Sequence, residues 1–198
     1  CFAAANNEGR YSSSVPNLNL LPGVNYDCDR YYGDRNWRVP VGTYNITFDI
    51  SKQTIRINTL DDPDRVVTLA YAELEMAIAE AEERFPGIDL SSVKSVLENS
   101  ESTDEQLIEA YNRLPELQLA HLLALMNDAS ESNPVNATYL IKGADCTDSN
   151  GWGGSSMNYS NGILTTNNKD FNTHQDLTSL PNGVYQLSLK GTSRYGAG

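Results

Sequence analysis

The sequence predicts an α+β multidomain chain, with a partial antiparallel β-sandwich over 1–60, a three-helix spacer over 64–130 and a second partial β-sandwich over 137–198. Three observations carry this. The phrase Pro-x-Gly-x-Tyr occurs twice, as Pro40–Tyr44 and Pro181–Tyr185, each followed by alternating polar and apolar residues. Between the two copies, Val67, Tyr71, Leu74, Ile78, Ala81 and Phe85 recur at helical spacing. In the first β-like end, short apolar pieces are broken by turn chemistry. Each β segment has only about 60 residues where a sandwich uses about 100, so both ends read as cut from a longer protein.

Within 1–60, short apolar pieces are separated by Asn6–Gly9, Ser12–Ser14, Leu21-Pro22-Gly23 and Tyr32-Gly33-Asp34. The clearest strands are Gly42–Ile50 and Gln53–Ile57. In the first, Tyr44, Ile46, Phe48 and Ile50 share one face, with Thr43, Asn45, Thr47 and Asp49 on the other. One buried and one wet face is the pattern of an antiparallel sheet. Ser51-Lys52 is the expected turn of this hairpin, although it lacks the Gly or Asn that two-residue turns favour. Cys1–Ala5 reads as a short buried strand.

The first helix of the spacer is stopped by Pro86-Gly87. A short second helix runs to Leu97, capped by Asp89 or Ser91. Thr103-Asp104-Glu105-Gln106 has capping-box spacing and opens a third, which carries Leu107, Tyr111 and Leu114 until Pro115 breaks or kinks it. Leu117–Met126 is apolar nearly all round and is expected to be the most buried helix. Asp128–Pro134 is a polar exit linker. In the last segment, Thr138–Ile141 and Val184–Leu189 are the expected strands, with Asp148–Gly151 a turn and Trp152 a core residue.

The chain carries 14 Lys and Arg against 26 Asp and Glu, a net charge of -12. Such a balance disfavours nucleic-acid and anionic-membrane partners but leaves neutral glycans open. No apolar run reaches the roughly 20 residues of a membrane span. Cys1 has two readings, the lipid-modified first residue of a mature bacterial lipoprotein or a position in mid-gene, which the strand-like start favours. Its 3 cysteines show no zinc spacing. A Cys1–Cys28 bridge and scattered buried thiols are the alternatives.

Chemistry-bearing motifs are sparse. His121 sits in an apolar helix and His174 in an expected strand, and no nucleophile elbow, P-loop or dinucleotide fingerprint is present. Catalysis is not expected within this stretch. Asp145-x-x-Asp148-x-Asn150 is a weak calcium-loop pattern without the distal Glu, so a structural Ca²⁺ competes there with a plain turn. No other cofactor is implied. The aromatic residues say more. Tyr26, Tyr31, Tyr32 and Trp37 crowd one loop-rich stretch with Arg35 and Asn36, a composition suited to stacking on a sugar. Tyr31, Tyr32, Trp37, Arg35, Asn36 and Tyr159 are therefore the candidate ligand residues, with burial of Trp37 in the core as its alternative role.

The stretch Phe2-Ala3-Ala4, Leu21-Pro22-Gly23, Asn36–Val39, Gly42–Ile50 and Thr54-Ile55 resembles the second half of the repeat domain of SusE/SusF-type surface starch-binding lipoproteins of gut Bacteroidetes. Leu140-Ile141, Gly151-Trp152 and Phe171 to Leu189 are similar to the galactose-binding-like jelly rolls of secreted Bacteroidetes proteins, though the Asn-Pro and Phe of that pattern are missing. Tyr71–Leu114 resembles the three-helix spacers found between such domains. These resemblances imply a partial β jelly roll for 137–198 and non-catalytic binding or display of a starch-like polysaccharide at the outer-membrane surface or outside the cell. An accessory region of a larger secreted glycoside hydrolase or protease and a structural adhesin stalk are the alternatives.

Overall fold

A computed structural model of the chain describes residues 2–3, 10–13, 16–31, 36–147, 149, 151–155, 158–160, 162–165, 172–178 and 180–190. Its class is mixed α+β. The chain forms two compact units, Cys1–His121 and Leu122–Gly198.

The first unit begins with β1 (Phe2–Ala3), β2 (Arg10–Ser13), β3 (Leu18–Asn19), β4 (Tyr26–Tyr31), β5 (Trp37–Arg38), β6 (Tyr44–Asp49) and β7 (Thr54–Thr59). Five of these make one sheet of order β1-β2-β4-β7-β6, every pair antiparallel. β3 and β5 form a separate parallel pair, Leu18 opposite Trp37. Leu20, Cys28, Ile55 and Ile57 are the buried centre, and Leu18, Tyr26, Trp37, Tyr44 and Phe48 pack around it. Each fully buried aliphatic side chain here contributes about 1.5–3 kcal/mol. Cys28 is a buried thiol whose sulfur lies 3.9 Å from the Tyr26 carbonyl. Cys1 is outside the described residues.

Three expectations change in this sheet. Asp49 pairs with Thr54, so the hairpin loop is Ile50–Gln53 and not the two residues Ser51-Lys52. Without Gly or Asn the tight turn is unavailable. Instead the Asp49 carboxylate accepts from Ser51 N–H at 2.9 Å, Ser51 O–H at 2.6 Å and Lys52 N–H at 3.1 Å, and Gln53 takes φ 55°. The expected inner face of β6 is also only partly covered. Tyr44 and Phe48 reach the core, but Ile46 and Ile50 remain 55% and 69% exposed, because β6 is the sheet's edge. Thirdly, Tyr26–Tyr31, read as loop-rich, is a six-residue strand paired on both sides.

The helices are α1 (Leu69–Arg84), α2 (Ser91–Glu98) and α3 (Asp104–Asn127). Leu74, Ile78, Ala81 and Phe85 are buried along the expected stripe. Thr68 caps α1, its hydroxyl oxygen accepting from Tyr71 N–H at 3.2 Å while its proton goes to Asp104 Oδ1 at 2.7 Å. That one side chain ties the start of α1 to the start of α3. Asp89 Oδ1 accepts from Ser91 N–H at α2. The capping box forms reciprocally, with Thr103 N–H to Gln106 Oε1 at 2.9 Å and Gln106 N–H to Thr103 Oγ1 at 3.4 Å.

Pro115 does not break α3, which runs through it. Pro115 and Tyr111, whose carbonyl loses its partner, both face solvent, where water replaces the missing N–H. The Leu117–Met126 stretch is not the most buried helix either. Leu122 is 1% exposed, but Leu119 and Leu125 are each 41% exposed.

Sheet and helices are joined by a short, hydrogen-bonded connection. Gly23 N–H donates to Ile57 O at 2.8 Å, and Val67 N–H to Gly23 O at 3.0 Å. Gly23 has φ +86°, and a Cβ there would stand 3.1 Å from Val67 Cγ2, so the position requires glycine. Asn58, 1% exposed, donates to the carbonyls of Asp62 at 3.1 Å and Arg65 at 2.8 Å and accepts from Arg56 Nε at 2.8 Å. A buried amide with its groups satisfied pins the loop that delivers α1.

Among its described residues the second unit holds a 3₁₀ turn (Thr138–Leu140) and four short strands, β8 (Gly153–Ser155), β9 (Asn158–Ser160), β10 (Ile163–Thr165) and β11 (Asn172–His174), paired β9 with β10 and β8 with β11. The strand expected at Thr138–Ile141 is thus a turn, started by Asn136 Oδ1, which accepts from Thr138 N–H at 3.0 Å. Trp152 is partly buried, donating from Nε1 to Gly143 O at 3.0 Å. Gly154 sits against β11 where a Cβ would come within 1.6 Å of Asn172 O.

Val184–Leu189 has no strand partner among the described residues, and Val184, Leu187 and Leu189 are 104%, 72% and 84% exposed. Alternation makes a strand only where a neighbour supplies hydrogen bonds and covers the apolar face. The repeated phrase nonetheless does one thing twice. Tyr44 O–H reaches back to Val41 O at 3.5 Å, and Tyr185 O–H to Pro181 O. In both copies the tyrosine closes onto the turn before it.

Candidate functional site

A concave surface of the first unit lies between the Pro16–Leu21 segment and α1. Leu18 N–H donates to Asn36 O at 3.1 Å and Leu20 N–H to Arg38 O at 2.8 Å, holding this segment on β5. Asn17 bends the chain through φ 56°. Opposite it, Leu69, Glu73 and Met76 fall on one face of α1. Between them is a groove of about 380 Å³, with Leu18, Leu21 and Tyr26 on its sheet side and Asn17 and Asn19 also lining it. That volume is in the range of small-ligand sites. Leu69 and Met76 are 46% and 45% exposed, so the groove's walls offer carbon surface to a ligand.

Among the described residues its polar groups are few. Tyr26 Oη accepts from Leu21 N–H at 3.0 Å. Burial pushes the Tyr26 phenol above its ordinary pKa, the Leu21 hydrogen bond opposes this, and the negative charge of Glu73 adds to the rise. Glu73 is the charged side chain of the lining. The neighbouring cation, Arg65, is committed elsewhere. Its Nη2 contacts both carboxylate oxygens of Glu75, at 2.8 and 2.9 Å, and its guanidinium lies 5.6 Å from the Tyr71 ring centroid.

The residues singled out in the sequence are dispersed. Trp37 is partly buried on the core of Leu20, Cys28, Ile55 and Ile57, and its strand β5 backs the groove's sheet-side wall. Asn36 is exposed, and its carbonyl accepts from Leu18 N–H and from Ser13 Oγ at 3.2 Å. Tyr31 ends β4 opposite Arg10. Tyr32 and Arg35 lie outside the described residues.

In the second unit, Tyr159 is partly buried, with its hydroxyl 3.5 Å from Thr173 Oγ1. Asp145 is exposed and accepts from Thr147 N–H at 3.3 Å and Thr147 O–H at 3.1 Å. Asp148 and Asn150 lie outside the described residues. Among the described residues no group of three His, Cys, Asp or Glu is gathered for a metal, and no helix is long and apolar enough to cross a membrane. His121 stacks edge-on against Phe85, ring centroids 6.1 Å apart.

Sequence reasoning missed Leu69, Glu73 and Met76. The available signal was two apolar residues beside a Glu on the side of α1 away from its buried stripe. Comparison with known protein families, with curated proteins and with solved structures gives no match for this chain.

Proposed function

We propose that this chain is a non-catalytic glycan-binding or display region of a secreted or surface-anchored bacterial protein, working outside the cell or at its outer-membrane surface. In this reading residues 1–60 are part of a starch-binding-type β-sandwich and 137–198 part of a galactose-binding-like jelly roll. The observation that carries the binding role is the groove between Pro16–Leu21 and α1, where apolar walls and the Tyr26 ring meet a carboxylate and two amides. Carbon surface for the faces of a sugar ring and a few directional groups for its hydroxyls are what glycan recognition needs. A net charge of -12 is compatible with a neutral polysaccharide.

Native affinity electrophoresis of the full chain through gels containing starch, pullulan, galactan or mannan tests the proposal. Retardation by one of them is expected. Unchanged mobility in every gel would shift the reading to a stalk or to an accessory region whose partner is not a glycan.

A further inference from the structure

The geometry points to Tyr26 and Glu73 as a donor–acceptor pair that takes two adjacent hydroxyls of a neutral pyranose in the groove. This inference rests on the glycan-binding reading and names the chemistry that would select the ligand. Tyr26 Oη already accepts a hydrogen bond from Leu21 N–H at 3.0 Å, which fixes the ring's position and leaves the phenolic proton to donate. Glu73, on the α1 wall of the groove, can only accept while ionised.

No ion pair of Glu73 is found among the described residues, and Arg65 is held by Glu75. The opposing wall therefore presents a fixed donor and the helix an unpaired carboxylate. Both side chains line the same groove of about 380 Å³.

A sugar hydroxyl both donates and accepts. Two neighbouring hydroxyls can therefore accept from Tyr26 with one oxygen and donate to Glu73 with the other. An ammonium group has only donors and would answer Glu73 alone. The apolar flanks, Leu18 and Leu21 against Leu69 and Met76, suit the carbon face of the same ring. A diol ligand thus uses both walls, and a simple cation only one.

The test measures retardation of the full chain and of Tyr26→Phe and Glu73→Gln in gels containing the polysaccharide that retards wild type, with thermal melts run alongside. Tyr26→Phe keeps the ring but removes both the donor to the ligand and the acceptor of Leu21 N–H, and is expected to weaken binding roughly 2–10-fold, the melts reading any loss of stability. Glu73→Gln, on an exposed helix position, removes a charged acceptor and is expected to weaken it roughly 10–100-fold. Chitosan serves as the cationic probe.

If wild type is retarded and both variants match it, the pair is not the ligand contact, while the glycan reading survives at another surface. Should only chitosan bind, and Glu73→Gln alone abolish it, the site attracts cations and the diol pairing is wrong. If wild type migrates freely in every gel, the glycan reading falls and takes this inference with it.

Discussion

Replacing Trp37 by alanine separates an anchoring role from a stacking platform. The ring is partly buried against Leu20, Cys28, Ile55 and Ile57, and its backbone pairs with Leu18 at the wall of the groove. Full loss of a buried Trp to Ala costs about 3–5 kcal/mol. With part of the ring in solvent, the expected cost is about 2–3 kcal/mol. A unit of this size loses roughly 4 °C of Tm per kcal/mol, so the midpoint should fall by about 10 °C. Urea denaturation followed by circular dichroism at 222 nm gives the free energy directly, with Trp37→Phe expected to recover more than half of it. A loss under about 0.5 kcal/mol, with binding abolished, would show that the ring faces solvent as a platform and that its packing role is wrong.

Other consequences follow from single contacts. Asn58→Ala should destabilise by about 1–3 kcal/mol, because it removes both hydrogen bonds that the buried Asn58 side chain gives to the carbonyls of Asp62 and Arg65; a urea titration measures it. Thr68→Ala removes the α1 cap and the link to Asp104, and should cost about 1–2 kcal/mol by the same assay. Pro115→Ala should stabilise α3 by up to about 3 kcal/mol, raising Tm, since it restores an N–H to an uninterrupted helix.

The Tyr26 phenol has a raised pKa in the folded chain. Stability is therefore complete below the unfolded tyrosine value of about 10 and falls as pH climbs above it, since the unfolded state loses its proton first. In Tyr26→Phe this part of the alkaline loss should vanish, as thermal melts between pH 9 and pH 11 would show.

Local signals carried much of the helical region. The stripe ending at Phe85 and the Thr103–Gln106 capping box are short-range patterns, and their hydrogen bonds form as the spacing implies. Burial was less legible, because it depends on what lies opposite. Ile46 alternates in phase with Tyr44 and Phe48, yet it sits on an edge strand and stays 55% exposed. Val184–Leu189 shows the same limit more strongly, having β-forming residues and no strand partner among those described.

The groove was harder still. Its two walls are about 50 residues apart in sequence and come together through Gly23, Val67 and the buried Asn58, none of which advertises a ligand. Tyr26 was visible as part of an aromatic crowd, but its placement needed the discovery that Tyr26–Tyr31 is a strand.

The most direct test of a glycan site in the groove is a ¹H–¹⁵N correlation spectrum of the full chain titrated with an oligosaccharide from the retarding polysaccharide, maltoheptaose if that is starch. Binding there predicts saturable shifts concentrated at residues 16–21, at Tyr26 and along Leu69–Met76, with the second unit's signals unmoved. Shifts confined to other residues, or a spectrum unchanged at millimolar sugar, would contradict it.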